Sequence, residues 1–319
     1  MLDYCKKRDP LKPVELFRHL DSDGNTPLHL AADQGNYDCI DVLISKDDSG
    51  FADEDSQFLI DTRDSDDNLA LHLAIKNGEP ESAELLLKLD RNRKKNITMK
   101  TQNNQELPLT LAASTELSVV KVLVNFTDSK SVELKKGSDG KGTTENLVSY
   151  AEIIDSDSKK LFSKRDLNRQ NGDGNTPLSI AAENDKTKIV KYLLKQEGIE
   201  VNRPNFKDRT PYLLAAREGN SRVIKALIDY NKSLYEKIDK NDDVNSNSPI
   251  GVLFSVEDEN DQTALHLIAQ RVNEKDTDSV VREYVECARL ILESFNSEQN
   301  YRVVLQKCHE NRQNGINPC

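Results

Sequence analysis

The sequence predicts an all-α solenoid of stacked two-helix repeats, with irregular loop insertions between some of them. The first observation is a phrase that occurs six times. Its copies read DGNTPLHLAA at 23–32, DDNLALHLA at 66–74, QELPLTLAA at 105–113, DGNTPLSIAA at 173–182, DRTPYLLAA at 208–216 and DQTALHLIA at 261–269. The second is an apolar block that follows each copy, such as IDVLI at 40–44 or VVKVLV at 119–124. Since one such unit cannot bury both apolar segments alone, several units must stack.

Composition agrees with a stack and limits the function. A single round domain of 319 residues would be near the upper size for one hydrophobic centre, whereas repeats bury themselves against their neighbours. Aromatic residues make up 5% of the chain and tryptophan is absent, so the core must use small aliphatic side chains. The net charge of -11 argues against broad nucleic-acid binding and favours a basic or neutral partner.

The cysteines and the hydropathy pattern indicate a cytoplasmic protein. Five cysteines are scattered without a CxxC pair, which is typical of a reducing compartment. No apolar run approaches the ~18 residues that a membrane span needs. The first twelve residues are polar and show no apolar segment of a secretory signal.

Each unit opens with residues suited to a helix start. A threonine stands where its hydroxyl can accept from an orphan backbone N–H, and a proline often follows, at a position where no N–H is needed. The threonines are Thr26, Thr176, Thr210 and Thr263, and the prolines are Pro27, Pro177 and Pro211. Paired alanines such as Ala31-Ala32 and Ala181-Ala182 predict close approach of the first helices.

The pattern resembles the ankyrin repeat, with its T-P-L-H-x-A phrase and period of about 33 residues. The resemblance covers most of the chain and implies one ankyrin-repeat domain over 1–319. It implies short β-hairpin fingers that precede each helix pair, and a concave face of fingers and first helices that binds protein. The histidine at the fourth position of the phrase, as in His29, His72 and His266, is implied to brace the turn through hydrogen bonds.

The spacing of the copies departs from the family's period. We place repeats near 21–46, 64–90, 102–126, 171–197, 205–230 and 258–295. A degenerate repeat at 139–164 would occupy the 69-residue interval between Leu109 and Leu178, and a partial repeat is expected from about residue 311. Loops are predicted at 46–60, 230–258 and 272–279, with the apolar piece 249–256 anchored to the body.

The resemblance also gives the residues expected to contact a partner. They are Ser22, Asp23, Asn25, Asp33 and Gln34 in the first unit; Ser65, Asp66, Asn68, Lys76 and Asn77 in the second; and Phe206, Lys207, Arg209, Arg217 and Glu218 in the fifth clear unit. We expect Phe206 and Arg209 to dominate the binding energy, and the acidic fingers to steer the approach. The alternative is that Phe206 covers the core of its own hairpin.

Asn202 is a candidate modification site. Leu194, Glu200 and Val201 precede it by eight, two and one positions, which resembles the sites of ankyrin-directed asparaginyl β-hydroxylation. The alternative is an ordinary turn asparagine.

The sequence predicts no enzyme site, no cofactor and no metal. The three phrase histidines lie a unit apart, too far to share one ion, and Cys308-His309 is an adjacent pair rather than a catalytic one. The basic run 91–95 suits a solvated loop, or else a nuclear-import or phosphate-binding patch.

We expect a monomeric, non-catalytic scaffold or adaptor with a protein partner and no nucleic acid. The alternative is the targeting region of a longer bacterial effector, acting in host cytoplasm, or of a regulated enzyme whose activity lies beyond residue 319.

Overall fold

The computed structural model describes residues 18–44, 53–102, 104–126, 163–240, 251–271 and 278–297, and these form a stack of six two-helix units. The first helices are α1 (Pro27–Asp33), α4 (Ala70–Lys76), α7 (Pro108–Ser114), α9 (Pro177–Glu183), α11 (Pro211–Arg217) and α13 (Ala264–Arg271). The second helices are α2 (Tyr37–Ile44), α5 (Pro80–Leu89), α8 (Leu117–Asn125), α10 (Thr187–Leu193), α12 (Ser221–Lys240) and α14 (Asp278–Ser297). Two more helices, α3 (Asp53–Asp61) and α6 (Arg93–Asn96), follow the first and second units.

The predicted caps start the first helices. The hydroxyl oxygens of Thr26, Thr176 and Thr210 each accept from the backbone N–H three residues on, at 3.1–3.4 Å. Where a leucine takes the cap position, the side chain of the third helical residue accepts from the backbone N–H of that leucine instead. His72 Nδ1 accepts from Leu69 N at 3.0 Å, which satisfies an N–H that the helix leaves open.

The alanine pairs lie where neighbouring first helices meet. Ala32, Ala112, Ala113, Ala181, Ala182, Ala215 and Ala216 are all fully buried. Each first helix packs against the first helices before and after it, and each second helix packs behind its own first helix and beside the next second helix. The core therefore runs as one continuous layer along the stack rather than around a centre.

The stack passes directly from the unit at 102–126 to the unit at 171–197. Helix α7 packs on α9, and Gly172 N donates to Asn104 O at 2.7 Å. The first helices and the fingers of these two units are therefore in direct contact. Most of the predicted degenerate repeat at 139–164, and all of the partial repeat from about residue 311, lie outside the described residues.

Three of the predicted loops contain helix. Residues 53–61 form α3, because Leu59 and Ile60 turn inward and are buried within an otherwise acidic segment. Helix α12 continues to Lys240, and α14 begins at Asp278. The basic run, predicted as a loop, enters the short helix α6 at Arg93.

The anchoring of the apolar piece 249–256 is confirmed in the part that is described. Val252 and Phe254 are buried. The ring of Phe254 meets the ring of Tyr212 edge-on, with centroids 5.0 Å apart. Across the described residues, no helix is long and apolar enough to cross a membrane.

Replacing Ala182 by leucine tests the close packing of first helices. Ala182 is fully buried in α9, so the added carbons must force neighbouring helices apart, and we expect a loss of roughly 1–3 kcal/mol in the free energy of unfolding. Urea unfolding followed by circular dichroism measures it. Ala269→Leu, on the exposed side of α13, is the control and should unfold close to wild type. Equal stability of the two variants would contradict close packing at Ala182.

Candidate protein-binding surface

Each first helix is preceded by a tight turn, which we call a finger. It has five residues in five of the six units and six residues in the third, where Thr101 N donates to Glu106 O at 3.0 Å. In five of the six units its first residue is Asp or Asn, and the backbone N–H of that residue donates to the carbonyl of the fifth at 2.9–3.1 Å. These first residues are Asp21, Asp64, Asn171, Asn205 and Asp258. The side-chain oxygen of each accepts from two further N–H groups of its own turn, as Asp64 Oδ1 does from Asp66 and Asn68 at 2.9 and 2.7 Å. The side chain therefore fixes the finger shape.

Neighbouring fingers are joined edge to edge by single backbone hydrogen bonds. Ser65 N donates to Asp23 O at 3.1 Å, Phe206 N to Asp173 O at 3.1 Å and Glu259 N to Lys207 O at 3.2 Å. The predicted hairpin fingers are thus present as turns, and no β-strand occurs among the described residues. The fingers form one continuous row beside the first helices.

The phrase histidines His29 and His72 brace one finger against the next. Nδ1 of each ring accepts from the cap residue's N–H, and Nε2 donates to a carbonyl of the following unit, from His29 to Asn68 O at 3.1 Å and from His72 to Met99 O at 3.2 Å. Burial lowers the pKa of both rings, that of His72 to about 4, so both are neutral at pH 7. The structural role implied for them is confirmed, and no cluster suited to a metal ion occurs in the described ranges.

The structure divides the predicted contact residues into exposed and engaged groups. The exposed ones are Ser22, Asp23, Gln34, Ser65, Asp66, Lys76, Asn77, Phe206 and Lys207. The partly buried ones are Asn25, Asn68, Asp33, Arg209, Arg217 and Glu218. The Asn25 and Asn68 amides donate to the aspartates that open their own fingers, at 3.2 and 2.9 Å, so these two side chains hold the turn.

Several of the predicted contact residues, both exposed and partly buried, join adjacent first helices. Asn77 Nδ2 donates to Asp33 Oδ1 at 2.7 Å. Arg217 lies 3.7 Å from Glu183 and 3.3 Å from Glu218, which in turn lies 2.8 Å from Arg271. Burial and the neighbouring Glu218 charge raise the pKa of Glu183. The contacts among Glu183, Arg217, Glu218 and Arg271 form a polar line that spans the fourth to sixth units on the face of the first helices. The Asn77–Asp33 bond joins the first two units.

Arg209 does not lie free on the surface, which corrects the expectation that it dominates binding. Its guanidinium reaches Asp258 of the next finger, with Nε and Nη2 at 3.0 and 2.9 Å from Oδ2. The Arg209 side chain is 12% exposed and that of Asp258 is fully buried. Burial raises the pKa of Asp258, but hydrogen bonds from Asn260 N and from Arg209 outweigh it and hold the pKa below its ordinary value. The pair ties two fingers together, a role that sequence alone did not reveal.

Phe206 is the large aromatic side chain that the finger row presents to solvent. It is 70% exposed, so it does not fill the core of its own turn. Its ring lies against the preceding finger at Gly174, where a Cβ would come within 2.7 Å of the ring. Because Gly174 also has φ +78°, glycine is required there on both counts.

Around Phe206 the finger tips are acidic. The exposed tip carboxylates are Asp23, Asp66, Asp67, Asp173, Asp208, Glu259 and Asp261. Lys207 is the one cation at a described tip, and the third finger carries Gln102, Asn104 and Gln105 instead. The acidity predicted for the first two fingers therefore recurs at the tips of the fourth, fifth and sixth fingers but not at the third.

Asn202 belongs to a repeated contact at the base of the fingers. Its Nδ2 donates to Gly251 O, and its Oδ1 accepts from Leu253 N, both at 2.8 Å. Asn168 does the same one unit earlier, to Gly198 O at 2.7 Å and from Glu200 N at 2.8 Å. Both asparagines stand eight residues before a cap threonine, Thr176 and Thr210. This shared spacing is the sequence signal from which the repeated contact could have been predicted.

The stacked helix pairs and the joined fingers define a helical repeat protein of the solenoid class. A family model described as "Ankyrin repeats (3 copies)" matches residues 11–98 and 155–242, more than half of the chain. The chain therefore belongs to the ankyrin-repeat family.

A solved structure is also similar to this chain. It is an ankyrin repeat domain from Acinetobacter baumannii AYE, 20% identical, with a TM-score of 0.48 over 84% of this chain and 97% of that one. A comparison with curated proteins gives no match.

The buried histidines make stability depend on pH. With a folded pKa of about 4 and an unfolded value near 6.5, His72 binds a proton more readily in the unfolded chain, and His29 acts in the same direction. The free energy of unfolding should therefore fall as pH drops below about 6.5, by up to about 1.4 kcal/mol per unit for His72. His72→Gln should be less stable at neutral pH but flatter in its pH dependence, which urea midpoints between about pH 7.5 and 5 would show.

His266→Gln is the matched control, because the His266 ring is exposed. It should keep the wild-type slope of stability against pH. An unchanged slope in the His72 variant would show that its buried ring does not control the acid response.

Proposed function

We propose that this protein is a non-catalytic, monomeric scaffold or adaptor of the cytoplasm, which binds a protein partner through its fingers and first helices. Ankyrin repeats generally mediate protein–protein interaction. The observation that carries the proposal is Phe206, a 70% exposed aromatic ring in a row of acidic finger tips. Interfaces concentrate binding energy in a few aromatic side chains that become buried on contact.

The chemistry of the row points to a partner with an apolar pocket and a basic rim. The Phe206 ring would enter the pocket, and its burial would supply roughly 2 kcal/mol or more. The tip carboxylates, with Asp173 and Asp208 on either side of Phe206, would attract positive groups and speed association. Arg209 and Asn68 contribute indirectly in this proposal, because they hold the fingers in shape.

The first helices continue the same face. Gln34, Lys76 and Asn77 are exposed at the ends of α1 and α4, and Asp33, Arg217 and Glu218 lie half-buried at corresponding positions. We propose these as a polar rim, with Ser22, Asn25 and Lys207 at its finger side. Rim contacts contribute little energy each but fix which partner fits.

Phe206→Ala tests this surface. Since the ring is mostly in solvent, its removal should leave the urea midpoint within about 0.5 kcal/mol of wild type, while partner capture falls at least about tenfold. Immobilised wild type and variant are exposed to the same cell lysate, and captured proteins are quantified by mass spectrometry. Tyr37→Ala, an aromatic 45% exposed on α2, is the matched control and should capture as wild type does. The same captured set from Phe206→Ala and wild type would refute the chosen face.

We also propose Asn202 as a site of asparaginyl β-hydroxylation, supported by Leu194, Glu200 and Val201 before it. Because both ends of its amide are hydrogen-bonded to 251–253, the modification needs this contact to open. Incubation with an ankyrin-directed hydroxylase should add one oxygen atom at Asn202, detected by peptide mass spectrometry. Asn168 shares the contact but has Lys160 in place of the leucine, so it should stay unmodified. An unmodified Asn202 under saturating enzyme would reject the site.

A further inference from the structure

The outward faces of three neighbouring second helices carry a regular array of lysines. In α10, Lys188 and Lys191 are exposed at i and i+3, opposite the buried Ile189, Val190 and Leu193, and Lys195 is exposed in the turn directly after the helix. Such spacing places side chains in one stripe along a helix. The array is therefore built into a rigid element.

Helices α8 and α12 repeat the arrangement on either side of α10. Lys121 is the exposed cation of α8, and Lys225 and Lys232 lie on the exposed stripe of α12 with Arg222. The three helices pack side by side. With about 8–10 Å between axes and a rise of about 1.5 Å per residue, the array covers about 20 Å by 10 Å. We call these six lysines the lysine face.

The charges of the lysine face are largely uncompensated. None of the six lysines forms an ion pair with another described residue, whereas Arg222 is paired with Asp185. Asp229 is the carboxylate that lies on the same stripes. The second helices of the first two units differ, with exposed Asp38, Glu81 and Lys88 in their place. Among the second helices of the first five units, exposed lysines without an ion-pair partner are thus confined to the third, fourth and fifth, in a protein whose net charge is -11.

The acidic fingers do not cancel this local charge. They precede the first helices, whereas the lysine face lies on second helices, and the buried core separates the two. At physiological ionic strength, exposed charges more than about 8 Å apart are largely screened from one another. A contacting surface therefore meets the six lysines together with Arg222 and Asp229, and not the finger carboxylates.

We propose that the lysine face docks on an anionic lipid surface. Clusters of four to eight basic residues bind acidic phospholipids, with each lysine near the surface strengthening binding by about fivefold. Because packed, parallel helices hold these lysines in place, the lysine face can contact several lipid headgroups at the same time. Because none of the large exposed apolar side chains lies on α8, α10 or the described part of α12, the contact is electrostatic and reversible.

The side chains favour lipid over nucleic acid. Recognition of single strands uses aromatic rings that stack on bases, and arginine gives the bidentate contacts typical of phosphate and base recognition. The exposed cations here are lysines apart from the paired Arg222, and the aromatic Tyr192 of α10 is half-buried with its hydroxyl bonded to Asn125 at 3.0 Å. The proposal does not depend on a partner at the fingers.

Vesicle sedimentation with the full chain tests the proposal. Wild type should bind vesicles of phosphatidylcholine with about 30% phosphatidylserine and should not bind vesicles of pure phosphatidylcholine. It should dissociate from the anionic vesicles as NaCl is raised from about 50 to 300 mM. Lys188→Gln/Lys191→Gln/Lys225→Gln should weaken partitioning about 100-fold, and Lys191→Gln alone about fivefold. Circular dichroism checks that each variant keeps its fold.

Lys88→Gln/Lys100→Gln/Lys164→Gln is the matched control, since it removes three exposed lysines and the same charge from positions outside α8, α10 and α12. It should bind vesicles as wild type does. Failure of wild type to bind anionic vesicles, or an equal loss in both triple variants, would overturn the lysine face as a docking site. Tighter binding to a duplex of about 30 base pairs than to vesicles would overturn the choice of lipid in favour of nucleic acid.

Discussion

The close approach of successive first helices across alanine side chains is the constraint on which the rest of the molecule depends. Ala182 and Ala216 are fully buried where α9 and α11 meet. That short separation brings adjacent fingers within hydrogen-bond reach, so that Phe206 N can donate to Asp173 O. It also lets His29 and His72 span from one unit to the next. Larger side chains at the alanine positions would break the row of fingers before they broke any single helix.

The repeat phrase was sufficient to predict the class of fold because its residues act locally. Threonine, proline and alanine determine where a first helix starts and how near its neighbour lies, and both effects can be judged from ten letters. The inserted elements could not be predicted in this way. The helix at 53–61 depends on Leu59 and Ile60 finding a surface to pack on, which an acidic segment does not reveal.

The candidate binding surface was only partly predictable for a similar reason. Exposure of Phe206 follows from its finger-tip position, which the phrase defines. The burial of Arg209 depends on Asp258, 49 residues later and beyond an insertion of irregular length. Pairings of that kind become visible only when the stacking order is known. The direct contact of α7 with α9 shows the same difficulty, since the 69-residue interval between Leu109 and Leu178 does not indicate that these two helices are neighbours.

The base asparagines have a consequence for cooperativity. Asn202 belongs to one unit but binds two backbone groups of the next, and Asn168 does likewise one step earlier. In a one-dimensional stack, the coupling between neighbours decides whether the array melts as a whole or frays from an end. The hydrogen bonds of a single amide thus contribute to the free energy that couples neighbouring units. A change in the hydrogen bonds of Asn202 could uncouple the last described helix pair while the stack before it stays folded.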